Sequence, residues 1–231
     1  PFVSVDPGRE VETQLAQIDT LSQSYPIYGL KIVPVLCRTP VTALLDTGRA
    51  ILETARERNW PILLHTTVHA EETFSRADLA FRVIEACPDI RFCLAHCIGF
   101  HDAYLQKADM MPNVWVDTSA LKIQTQLAYE NSLIMASQEE RFSADYSDHT
   151  SVMKDLTNAY PKTIIWGTDT PAYSYICRRD QGDGLFVDFN LKAAYGDEVA
   201  ALNSLAHNIK RKVSNENPLH FIFGQSASHR I

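Results

Sequence analysis

Two histidines and an aspartate each stand where an apolar run stops: ILL is followed by His65, FCLA by His96 and IIWGT by Asp169. VWV runs likewise into Asp117 and Thr118, and GLKI carries Lys31. Imidazole nitrogens and carboxylate oxygens arriving from separate strands suit a divalent metal, zinc foremost and manganese next, which takes such donors and keeps a position open for water. A lone histidine at a strand end is ordinarily a hydrogen-bonded structural group; two histidines and an aspartate at equivalent places in three separate units point to a site instead. Lys31 reads either as the partner of a neighbouring carboxylate or as a pocket residue, because a buried ammonium must be paired or lose its proton. His101, just after His96, lies within reach of the same pocket. Arg178 and Arg179 follow the last strand, where a guanidinium fork could clamp a substrate carboxylate, and a solvated charge pair is the competing reading.

The elements that must position these groups alternate regularly, an apolar run and then an amphipathic stretch, which is the pattern of βαβ units building a parallel sheet. The strands are FVSV, YGLKIVP, PILLHTT, RFCLAHC, NVWVDTS and TIIWGTD. Helices are predicted from Arg9 to Ser22, from Thr39 and Pro40 to about Asn59, and over HDAYLQKADMM, SVMKDLTNAY and EVAALNSLAHNIKRKV. Ser75 is placed to cap a further helix through Leu79, Val83 and Ile84. About Gln124 to His149 and Pro171 to Gly196 the pattern is irregular, and long loops of this kind commonly line a site.

Six units fit an open doubly wound sheet or a closed eight-stranded barrel. The open sheet usually carries a Gly-rich phosphate turn after its first strand, and the nine glycines here are scattered. The expectation is therefore an α/β fold, a (β/α)8 TIM barrel in one catalytic domain over 1–231, with the first one or two strand–helix units lying upstream of Pro1. In a barrel the strand ends named above would meet at one mouth.

Composition narrows the partners. With 21 Lys+Arg against 28 Asp+Glu the formal charge is −7, which opposes nucleic acid or an anionic membrane surface and leaves a small-molecule substrate. Association into a homo-oligomer is compatible with it. The cysteines (Cys37, Cys87, Cys93, Cys97, Cys177) show no CxxC spacing and read as buried thiols of a reducing, cytoplasmic compartment. No apolar run approaches the roughly 18 residues of a membrane span.

The motifs GLKIVP, PILLHTT, DIRFCLAHC, NVWVDTS and IIWGTDTP, in this order from the first residues to about Pro171, resemble successive strands of the amidohydrolase-related family. This is the branch of the amidohydrolase superfamily that contains aminocarboxymuconate-semialdehyde decarboxylase. Asn215 to Phe223 faintly resembles the family's closing helix. The resemblance implies that His65 is the fifth-strand metal ligand and Asp169 the eighth-strand ligand or proton-transfer carboxylate. By the same resemblance His96 is the sixth-strand histidine that orients and deprotonates metal-bound water, and Lys31, on the fourth strand, is a pocket residue. The family's first-strand HxH pair, two more ligands, is not in this sequence, and without it the metal could be absent. The activity implied is that of a metal-dependent hydrolase of a small-molecule C–N or C–O bond. The alternatives are a non-oxidative decarboxylase or lactonase acting on an unsaturated or aromatic carboxylic acid, and a non-catalytic barrel used as a binding subunit.

Overall fold

Six of the apolar runs pair side by side in a computed structural model that describes residues 1–170, 174–180 and 186–224, with the backbone alone for 174–180 and 186–191. The strands are β1 (Phe2–Ser4), β2 (Gly29–Ile32), β3 (Ile62–Leu64), β4 (Phe92–Leu94), β5 (Val114–Asp117) and β6 (Ile164–Ile165). They form one parallel sheet in the order β1-β2-β3-β4-β5-β6. A doubly wound sheet reverses its order at a switch point, whereas a barrel lays each strand beside its predecessor. This sheet does the latter throughout.

Right-handed crossovers of constant direction put the helices on one face. They are α1 (Val11–Ser22), the single turn α2 (Pro34–Cys37), α3 (Arg49–Glu57), α4 (Ala77–Ala86), α5 (Asp102–Met110), α6 (Leu121–Tyr129) and α7 (His149–Ala159). Alternation along each strand sends Leu30, Ile32, Ile62, Leu64, Phe92, Leu94, Val116 and Ile164 to that face, where each is fully buried against Ile18, Ile51, Phe81, Ile84, Leu105 and Met153. The opposite face carries Leu63, Cys93 and Trp115, in register with one another and with Lys31. It packs on Phe221 and Ile222. Those two come from α10 (Asn217–Phe223), which follows α8 (Tyr195–Asn203), α9 (His207–Arg211) and a π-helical turn, Lys212–Glu216. Asn217 holds α10 to β6 by donating from Nδ2 to the carbonyls of Pro161 and Ile164 at 3.0 and 2.7 Å. Arg91 grips its other end through the carbonyls of Phe221 and Ile222.

Several expected elements differ, each for a tertiary reason. The helix predicted from Thr39 to Asn59 breaks into a 3-10 turn, Val41–Leu45, and α3, because Gly48 packs on Pro7, where a Cβ would come within 2.6 Å of the proline ring. Ser75 does not cap α4, since its Oγ accepts from the Val35 amide at 3.0 Å and Arg76 takes the cap position. The stretch EVAALNSLAHNIKRKV is not one helix: Ser204 turns back on Ala201 between α8 and α9. Of the two irregular stretches, the first begins inside α6, and the second holds an antiparallel hairpin, β7 (Ser174–Asp180) with β8 (Phe186–Lys192). Cys37, Cys87, Cys93 and Cys97 are free thiols, three of them buried. Among the described residues no helix is long and apolar enough to cross a membrane.

Candidate active site

His65 is the first residue past β3, its amide extending the ladder to the Ile32 carbonyl at 2.9 Å, so its side chain follows Leu63 onto the face away from the helices. His96 comes two residues past β4 and opens an unusual turn. His96, Cys97, Ile98, Gly99 and Phe100 all have φ between 50° and 63°. For residues with a Cβ this left-handed path costs about 1–2 kcal/mol each. It is held by complete burial of the segment and by amides from outside it, Ala136 to the Gly99 carbonyl at 3.0 Å and Phe142 to the Phe100 carbonyl at 2.8 Å. The reversal lodges the buried His96 ring between the ends of β3 and β5.

There the ring is bonded at both nitrogens. Nε2 of His96 lies 3.0 Å from Nδ1 of His65. Nδ1 of His96 lies 3.1 Å from both the carbonyl oxygen and the hydroxyl of Ser119. Asp117, the last residue of β5, gathers the rest: its Oδ1 accepts from the His96 amide at 3.1 Å, from the Ser119 amide at 3.0 Å and from the Ser119 hydroxyl. Burial pushes the Cys93 thiol well up, so it stays protonated and is a weak donor 3.9 Å from Oδ2 of Asp117. Burial, helped by the charges of His96 and Lys31, pushes His65 down to about 3, which keeps its imidazole neutral at physiological pH.

The two sequence-predicted histidines are thus brought together. Asp169 stands beyond β6 on the same edge of the sheet, at φ 59°, in a loop tied to β5 by the Gly167 amide donating to Thr118 Oγ1 at 3.2 Å. Lys31 shares the face of His65 and makes no ion pair among the described residues. His101 sits elsewhere, stacked on Tyr104 with ring centres 4.2 Å apart, in the wall of a cavity of about 220 Å³ shared with Thr67, Arg76 and Glu140. Arg178 and Arg179 lie on β7, their backbones opposite Asp188 and Val187, and their side chains lie outside the described residues. Sequence reasoning missed Ser119. Its signal was the DTS order, in which an aspartate accepts from the amide two residues on and swings the intervening turn back toward the sheet.

A catalytic zinc takes three protein ligands, and among the described residues no three His, Cys, Asp or Glu side chains group as a metal would need. The described set is therefore not a complete metal site.

Solved structures share the architecture. An uncharacterised TIM-barrel protein of Bordetella bronchiseptica superposes with a TM-score of 0.62 at 12% identity, over 99% of this chain and 67% of that one. Dihydroorotase of Campylobacter jejuni gives 0.54 at 10% identity, over 94% and 62%. The 5-carboxyvanillate decarboxylase of Novosphingobium aromaticivorans, solved with manganese bound, gives 0.56 at 11%, over 96% and 64%. The chain spans under two thirds of the length of the last two. At such identities the likeness establishes the fold alone, a TIM-barrel architecture of which the described residues supply six adjacent parallel strands. No curated protein matches the sequence. The amidohydrolase family profile matches residues 1–222, and the chain belongs to that family.

Proposed function

We propose that this chain carries the acid–base part of an amidohydrolase site that hydrolyses a C–N or C–O bond of a small molecule. The observation that carries the reading is the hydrogen-bonded pair His65 and His96, backed by Ser119 and Asp117, at the edge of the sheet where a barrel builds its catalytic face. In this reading His96 receives the proton of the attacking water by way of His65, whose Nδ1 faces Nε2 of His96 at 3.0 Å, and returns it to the leaving group, work that a positioned imidazole does at about 100-fold to 10,000-fold benefit. Asp169 is the second proton-transfer group. A divalent metal, zinc or manganese, belongs to the same reading, with His65 and Asp169 as the donors this chain offers; the manganese in the decarboxylase structure supports it. When bound, such an ion polarises the scissile group.

A second reading, decarboxylation or lactone opening on a carboxylic acid, is favoured by Lys31, a half-buried cation on the face of His65 without an ion-pair partner among the described residues. A lysine so placed would hold a substrate carboxylate.

Two measurements test the proposal. In a chain that also carries the family's first-strand HxH pair, elemental analysis should find about one zinc or manganese, removed by His65→Ala; unchanged metal in that variant contradicts the ligand assignment. Turnover of a panel of small amides, lactones and unsaturated carboxylic acids should fall by roughly 100-fold or more in Asp169→Asn. Native turnover in that variant makes Asp169 structural.

A further inference from the structure

The bonds around His96 have a direction that their chemistry fixes. A carbonyl oxygen can only accept, so the contact between Ser119 O and His96 Nδ1 at 3.1 Å requires the proton to be on Nδ1. Ser119 Oγ requires the same, since its one proton is donated to the Asp117 carboxylate and it too can only accept from the ring. Neutral His96 then has a bare Nε2. Facing it at 3.0 Å, His65 Nδ1 must supply the proton, which leaves the Nε2 of neutral His65 bare in turn. All of the acceptors that fix this order belong to one short segment at the end of β5, and Asp117 locks that segment by taking both neighbouring amides and the hydroxyl on a single oxygen.

We propose that Asp117 and Ser119 are positioning residues that hold His96 in its Nδ1-protonated form and thereby make His65 present an unprotonated Nε2. The lone pair on that atom is what a substrate proton or a metal ion would use, so the β5 turn sets the polarity of the whole chain of bonds without touching substrate. Outer partners of this kind, which select a ring tautomer, typically change affinity or activity by about 10- to 100-fold when removed.

The inference rests on His65 and His96 being the functional pair, and its test separates the two. Nitrogen spectra of the full chain labelled with 15N-histidine, at pH 8, report which ring nitrogens carry a proton, with no substrate needed. The expected result is a protonated Nδ1 and an unprotonated Nε2 for both His65 and His96. A proton on Nε2 of either neutral ring overturns the proposal, whatever the enzyme acts on. In Ser119→Ala the Nδ1 proton resonance of His96 should move, and kcat on any substrate the wild type accepts should fall about 10-fold with KM unchanged; Ser119→Thr, which keeps the hydroxyl, should restore both. An unmoved resonance in a folded Ser119→Ala protein also overturns it. The expected tautomers in a protein that turns over nothing would leave the positioning roles standing and remove the hydrolase reading alone.

Discussion

His65 Nδ1 and His96 Nε2 face each other at 3.0 Å, so the half-buried His65 ring and the buried His96 ring satisfy each other. Removing one side chain leaves the other's nitrogen unpaired, at a cost of about 1–3 kcal/mol. His65→Ala and His96→Ala should each destabilise the protein. The double variant should lose less than the sum of the two, by about 0.5 kcal/mol or more, because the orphan is then gone. Denaturant unfolding of the four proteins measures this, and strict additivity would mean that the pair is not coupled.

Gly99 sits inside the left-handed turn at φ 59°, and a Cβ there would come within 2.7 Å of Val68 Cγ2. Gly99→Ala should therefore cost about 1–2 kcal/mol for backbone conformation alone. For a chain of this size that is roughly 2–4 °C of melting temperature per kcal/mol. The cost should shrink in a Val68→Ala background, where the nearest obstacle is gone, and thermal melts of the single and double variants give the comparison.

Glu198 of α8 is fully buried and accepts from the amides of Leu121 and Lys122 at 3.2 Å, closing the N-terminus of α6 next to the Ser119 turn. Burial raises its carboxyl from 4.5 to about 7, outweighing the two amides. An acid whose folded value is raised binds more protons folded than unfolded between those limits, so its contribution falls as pH rises from about 4.5 through about 7. Glu198→Gln should flatten that part of the stability profile. Chemical denaturation at pH 5, 6, 7 and 8 reads the slope, and an unchanged slope would assign it to other groups.

Much of this was legible in the chain itself. All six parallel strands were readable because strands covered on both faces are continuous apolar runs, and ILL, FCL and VWVD are of that kind. His65 and His96 were readable because they interrupt such runs at the place where a barrel builds its site. The left-handed turn after His96 was not, since five residues follow that path only through burial and the amides of Ala136 and Phe142, some 40 positions away in sequence for each. Ser119 and Ser75 show the same limit from two sides. Both are short polar residues at element ends, where sequence offers only the local roles of turn and cap. One instead bonds across the sheet to His96 and the other to the Val35 amide.

If His96 moves protons in catalysis, His96→Asn should abolish that transfer, since a shorter polar group can retain part of the contact with Ser119 but cannot exchange a proton near neutral pH. Steady-state turnover of the substrate panel by the full-length protein and by this variant, alongside their melting curves, is the measurement. The expected result is a loss of roughly 100-fold or more in kcat with the fold retained. Native turnover by a folded His96→Asn protein would show that His96 transfers no proton in the reaction.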